Sequence, residues 1–197
     1  MSWSLGETGA LAVKATRGAG FSWGTAEDAG FAVTWLLGRG LPGATALCSY
    51  LSWHAAHKNP HHDDDIHCPL LTGAAISDGV IALPAGPDDQ TNLGTVRMPL
   101  LLVPFIASLE DDDIWLHGLD LSDNQARQAR HPVGMAACSL RRAAVPAWAL
   151  SDADHTRLDN DFACCVTTLG RFAHRTYAPA TQESRLAGAG AGLTDND

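Results

Sequence analysis

The strongest constraint on the fold is a helical repeat of apolar residues that fills the first 58 positions and then stops. Ser4 and Glu7 fit a capping box, which predicts a helix from Ser4 to about residue 17. A second helix is predicted from a cap at Thr25 to about residue 40, and a third from Pro42 to a stop before residues 59–60. The N-terminal third is therefore predicted to be helical.

In the middle of the chain the helical spacing of apolar residues disappears. Residues 73–84 are rich in glycine and lack a helical period, which predicts a turn and a strand. Residues 95–109 form an apolar run that predicts one or two buried strands, with Pro99 and Pro104 indicating edge positions or bulges. Residues 114–118 are another strand candidate, and the pattern of residues 135–145 fits a strand or a helix. The sheet is expected to be mostly antiparallel.

The last part of the chain returns to helical spacing. Apolar residues on one face predict a long helix over residues 152–176, and a Gly-rich tail without periodicity follows over 178–197. The length of 197 residues favours one domain over residues 1–197, helical over 1–58 and strand-rich over 70–148. Helices followed by strands and a final helix predict the α+β class.

The charge distribution limits the partners of this chain. The formal net charge is −9, which repels phosphate backbones and anionic lipid surfaces, so we expect neither nucleic acid nor membrane as a partner. Residues 59–123 contain twelve acidic residues and a single basic one, Arg97. This segment is expected to be either a solvated acidic surface or a cation site.

Cysteine usage and the N-terminus predict a cytoplasmic protein. The five cysteines are odd in number and show no CxxC spacing, which is typical of a reducing compartment. Residues 1–7 lack the basic leader and apolar core of a secretory signal. The apolar run at residues 98–109 is shorter than a membrane span of about 20 residues.

One segment concentrates residues that bind metal ions. Five of the nine histidines lie between positions 54 and 67, close to several aspartates. Imidazole and carboxylate groups suit zinc, manganese or iron, so the segment predicts a divalent metal site. The ligand pool is His54, His57, His61, His62, Asp63, Asp65 and His67. A solvated loop, with His54 completing the apolar face of its helix, is the alternative interpretation.

Three further patterns are weaker functional candidates. Asp152, His155 and Asp159 share one side of the predicted C-terminal helix, where a His–carboxylate pair could transfer protons, although a solvated polar face fits the same spacing. The adjacent Cys164 and Cys165 suggest redox chemistry or simple packing as small apolar groups. The glycines of the tail resemble a nucleotide loop, but no helix follows them to receive a phosphate.

Three segments resemble a known family. They are Leu5–Gly30, Cys68–Ala75 and Arg175–Asp197, and together they are similar to an uncharacterised bacterial family defined only as a domain of unknown function. The resemblance spans most of the chain and implies no activity, cofactor or catalytic residue.

These patterns lead to two hypotheses from different classes. The first is a small-molecule-binding or accessory protein that forms a homo-oligomer through apolar surface. The alternative is a metal-dependent enzyme that draws three or four ligands from the pool at residues 54–67. Stoichiometric metal in untagged protein would favour the enzyme, and a metabolite retained by metal-free protein would favour the binding protein.

Overall fold

The fold is α+β, with helices at the N-terminus and a four-stranded mixed sheet. The structure, a computed structural model, describes residues 3–57, 66–109, 111, 113–119, 133–142 and 155–176, except for the side chains of residues 155–161 and 164. None of the helices in these ranges combines the length and the apolar composition that crossing a membrane requires.

Three helices form the N-terminal part: α1 (Leu5–Gly18), α2 (Trp23–Leu37) and α3 (Gly43–Ala56). The predicted capping box at Ser4 is confirmed, because its hydroxyl accepts from the Glu7 N–H at 3.2 Å while the Glu7 carboxylate accepts from the Ser4 N–H at 2.9 Å. The predicted cap at Thr25 is wrong. Ser22 caps α2 by accepting from the Thr25 N–H, so this helix starts three residues earlier.

Small residues let α1 and α2 pack closely. A Cβ on Gly9 would lie 2.6 Å from the Thr34 hydroxyl, and one on Gly30 would lie 2.5 Å from a Val13 methyl group. The Thr34 hydroxyl donates to the Gly30 carbonyl at 2.7 Å, which satisfies this polar group inside the helix pair.

The sheet contains β1 (Ile66–His67), β2 (Gln90–Arg97), β3 (Ile114–His117) and β4 (Met135–Arg142), in the order β1-β2-β4-β3. The two pairs that involve β4 are antiparallel, whereas β1 is parallel to β2, with His67 opposite Val96. The sheet is therefore mixed, and the expectation of a mostly antiparallel sheet is wrong. A helix connects β1 to β2, and such a crossover is the usual connection between parallel strands.

Residues 73–84 contain a turn at residues 78–79 but not the predicted strand. Helix α4 spans Pro69–Ser77 instead. Pro69 occupies the first turn, where its missing N–H costs nothing. Gly73, one of the glycines that argued against a helix, packs against the ring of Phe105, which a Cβ at this position would overlap.

Residues 95–109 also differ from the prediction of buried strands. Strand β2 ends at Arg97, Met98 has a positive φ of 50°, and a 3-10 helix over Pro99–Leu102 leads into α5 (Val103–Ala107). Both prolines lie in the first turn of their helices, where a fixed φ is favourable. The predicted burial of the run is confirmed from Met98 to Ile106.

The predicted strand at residues 114–118 is confirmed by β3, and residues 135–142 of the open segment are a strand. The last helix of the described chain, α6 (His155–His174), packs on α1 and α3 through Phe162, Leu169 and Phe172. Residues 152–154, where the prediction began this helix, and the Gly-rich tail lie outside the described residues.

Candidate functional site

The structure describes three members of the predicted metal-ligand pool. His54 and His57 lie at the C-terminal end of α3, and His67 lies on β1. The other four members, His61, His62, Asp63 and Asp65, belong to residues 58–65, which are outside the described residues.

His54 and His57 do not face a common point on the helix. The His54 ring contacts Phe21, with centroids 4.6 Å apart, while the His57 ring lies 4.6 Å from that of Trp53. His67 lies at the sheet edge beside Gly94, where a Cβ would come within 2.8 Å of its ring. In the part of the chain that the structure describes, no three His, Cys, Asp or Glu side chains form a group that could hold a metal ion.

The side chains of three other candidates, Asp152, His155 and Asp159, lie outside the description, as do the Cys164 side chain and the glycines of the tail. Their proposed roles therefore stay predictions.

A buried polar contact lies where β1 meets α4. The Tyr50 hydroxyl donates to the sulfur of Cys68, the N-cap residue of α4, whose side chain makes no capping hydrogen bond. Burial raises the pKa of Cys68 against the hydrogen bond from Tyr50, and it raises the pKa of Tyr50 as well. Both groups therefore stay protonated at neutral pH, and this pair acts as a structural link between α3 and α4.

Next to the Tyr50–Cys68 pair, the guanidinium of Arg97 contacts the indole ring of Trp53. The guanidinium carbon of Arg97 lies 5.2 Å from the centre of the Trp53 ring, and the Tyr50 ring lies 6.2 Å from the same indole. Arg97 reaches this position because it is the last residue of β2, and Trp53 because it occupies the last full turn of α3. We name the group of Trp53, His57 and Arg97 the Trp53–Arg97 site.

One N–H donor of the Arg97 guanidinium lacks a hydrogen-bond acceptor among the described residues. Its Nε is buried and has no hydrogen-bond partner among the described residues, and no described carboxylate forms an ion pair with it. Arg142 shows the contrast, because it donates to Asp113 at 2.6 Å and to Asp111 at 3.0 Å. A buried donor without an acceptor costs about 1–3 kcal/mol, so an acceptor at Arg97 would stabilise the protein.

His57 completes the site on its exposed side. Its Nδ1 lies 2.8 Å from the Trp53 carbonyl oxygen, and since a carbonyl can only accept, Nδ1 carries a proton. The Nε2 atom of the same ring is then the group that can contact a ligand. Residues 58–65, which contain most of the predicted metal ligands, follow His57 directly in the chain.

Sequence reasoning selected His57 but missed Arg97 as a site residue. One feature of the sequence pointed to Arg97: residues 59–123 contain twelve acidic residues, and Arg97 is the only Lys or Arg in that segment. In such a segment a carboxylate partner is expected, and only the tertiary structure shows that the described carboxylates do not supply it.

A family model described as "Protein of unknown function (DUF3726)" matches residues 3–131. The match contains α1 to α5, β1 to β3 and the whole Trp53–Arg97 site, whereas the third resembling segment, Arg175–Asp197, lies beyond it. No curated protein matches the chain, and no solved structure does.

Proposed function

The chain belongs to the DUF3726 family of proteins of unknown function, and because this membership assigns no activity, we propose from the chain's own geometry that it is a small-molecule-binding or accessory protein. Its ligand carries a carboxylate or phosphate group that binds to Arg97 beside Trp53. The observation that carries this proposal is the buried Arg97 Nε without a partner among the described residues.

The chemistry of the guanidinium selects an anionic oxygen. Arginine presents several N–H donors in a rigid plane that matches a carboxylate or a phosphate. The indole of Trp53 beside Arg97 limits the orientations of that plane, which lowers the entropy lost on binding. The His57 ring lies 4.6 Å from the ring of the same Trp53 and offers a second polar group to the ligand.

Binding of simple anions tests this proposal. We expect isothermal titration with inorganic phosphate and with succinate to show binding of at least one of them, and native mass spectrometry of freshly purified protein to show a retained metabolite. Arg97→Met should weaken binding by roughly 10- to 100-fold, because a hydrogen bond to a charged group contributes about 1.5–3 kcal/mol.

Arg39 provides a matched control. Its guanidinium carbon also lies over an indole, 3.7 Å from the centre of the Trp35 ring, but Arg39 is exposed. Arg39→Met should leave anion binding unchanged. Equal losses in the Arg39 and Arg97 variants, or no binding of either anion by the wild type at millimolar concentration, would contradict the proposal. Thermal unfolding of each variant checks that the fold is retained.

Metal binding is a second candidate, and it is supported by the tautomer of His57. A histidine whose Nδ1–H is bound to a backbone carbonyl presents Nε2 in the way that metal-ligating histidines do. We expect elemental analysis of untagged protein, purified without added metal, to find near-stoichiometric zinc, manganese or iron that His57→Ala and His67→Ala reduce. Metal-free wild-type protein would remove this candidate.

A cytoplasmic location is also part of the proposal. The described cysteines, Cys48, Cys68, Cys138 and Cys165, are free thiols, which supports a reducing compartment.

A further inference from the structure

Two cysteines meet between α3 and α6, away from the Trp53–Arg97 site. A hydrogen bond joins Cys48 on α3 to Cys165 on α6, and the Cys165 sulfur also lies 3.6 Å from the Thr45 hydroxyl. Thr45, Cys48 and Ser52 are spaced three and four residues apart on α3, while Cys165 and Thr168 are three apart on α6. These spacings place polar groups in one row on each helix.

The surroundings of Cys48 favour its thiolate. Hydrogen bonding from the Cys165 thiol lowers the pKa of Cys48 to about 7, and the hydroxyls of Thr168 and Ser52 add to this effect while burial opposes it. Burial alone raises the pKa of Cys138 to about 11. Near neutral pH, Cys48 is therefore ionised to a far greater extent than Cys138.

Cys48 is also reachable from solvent, whereas its partner is protected. Cys48 and Thr168 are half-buried and Ser52 is exposed, while Cys165 is buried. A partly exposed thiolate next to a buried thiol is the arrangement in which an oxidised sulfur can be captured inside the protein. Hydrogen bonds from a thiol and from two hydroxyl groups therefore stabilise the negative charge on the Cys48 sulfur.

We propose that Cys48 is a site of reversible oxidation by hydroperoxides and that Cys165 is the thiol that resolves it. The Cys48 thiolate attacks the terminal oxygen of the hydroperoxide, the O–O bond breaks, and the alkoxide or hydroxide leaves and takes up a proton. Cys48 is then a sulfenic acid. Two electrons from sulfur have reduced the peroxide.

The Cys165 sulfur next attacks the Cys48 sulfur. The S–O bond breaks, water leaves with the proton of the Cys165 thiol, and a disulfide joins α3 to α6. A dithiol or glutathione-type reductant reverses the reaction by thiol–disulfide exchange. Because α6 packs on both α1 and α3, the disulfide would tie the last described helix to the N-terminal helices.

Peptide mapping tests the proposal directly. The full-length wild type is treated with hydrogen peroxide, alkylated and digested without reduction. We expect a cross-linked peptide that joins Cys48 to Cys165. In Cys165→Ser we expect dimedone to trap a sulfenic acid on Cys48, and in Cys48→Ser we expect Cys165 to remain reduced. Cys164→Ser serves as the control for the neighbouring cysteine and should keep the cross-link.

The hydrogen-bond donors supply a second measurement. The alkylation rate of Cys48 should rise with pH with a midpoint of about 7, because only the thiolate reacts. Thr168→Val should move this midpoint to higher pH, whereas Thr167→Val, an exposed neighbour on the same helix, should not.

Three outcomes would overturn the proposal. They are a wild type in which Cys48 is oxidised no faster than Cys138, a cross-link from Cys48 to a cysteine other than Cys165, and an alkylation midpoint near 9. The mapping of the wild type gives a result even if a cysteine variant fails to fold.

Discussion

At the scale of single residues, the close contact between α1 and α6 depends on the absence of a side chain at Gly18. This glycine ends α1 where the backbone of α6 crosses it, and a Cβ would overlap the carbonyl oxygen of Phe172. Backbone atoms cannot move aside as a flexible side chain can. Any larger residue at position 18 must therefore separate α1 from α6.

Two glycine variants with opposite expected effects test this contact. Gly18→Ala should lower the free energy of unfolding by about 1–3 kcal/mol, the usual cost of overpacking. Gly170→Ala, on α6 with no atom within 4 Å of the added Cβ, should raise it by about 0.5–1 kcal/mol, because alanine loses less entropy in a helix. Urea unfolding followed by circular dichroism measures both. A neutral Gly18→Ala would show that the two helices are not in such close contact.

The individual residues of the candidate site also explain why the sequence predicted only part of it. The histidines attracted the prediction because their type and number are visible in the sequence, and His57 does belong to the site. Arg97 belongs to the site because its buried Nε has no hydrogen-bond acceptor among the described residues. No sequence pattern indicates that such an acceptor is missing. The pair of Cys48 and Cys165 joins residues 117 positions apart, so Cys165 was considered only beside Cys164.

At the scale of elements, the helices of the N-terminal third were predictable because local rules decide them. Caps, glycine breaks and apolar spacing act over a few residues, and they located α1, α2 and α3 to within a few positions. Strand β3 was found in the same way, between a turn of acidic residues and a glycine.

The errors at this scale come from elements whose residues are apolar on all sides. The segment from Pro99 to Ile106 is buried, and α4 exposes an apolar residue, Leu71, so neither element presents the polar face that reveals a helical period. Pro99 and Pro104 were interpreted as signs of edge positions or bulges, whereas both of them, like Pro69, lie in the first turn of a helix. The parallel pairing of β1 follows from α4, so one missed helix also produced the wrong sheet type.

At the scale of the whole molecule, the apolar surface differs from the one that the sequence suggested. Self-association was predicted through apolar surface, but the longest apolar run of the sequence, residues 98–109, is buried within the chain itself from Met98 to Ile106. The apolar side chains left exposed include Trp23 at 60%, Phe31 at 42% and Leu71 at 45%. Phe31 lies on α2 and Leu71 on α4, two helices that pack against each other.

We predict that this surface, rather than residues 98–109, supports a homo-oligomer. Contact between two copies would remove the exposed parts of Phe31 and Leu71 from water, at about 25 cal/mol for each Å² of apolar area buried. Light scattering of the wild type should give a mass above 20.8 kDa at working concentration, and Phe31→Ser should shift it towards the monomer. Val80→Ser, at a side chain that is 78% exposed in the turn after α4, is the control and should leave the mass unchanged. A monomeric wild type would remove the prediction, and equal shifts in both variants would remove the role of Phe31, because the association would then depend on general surface hydrophobicity.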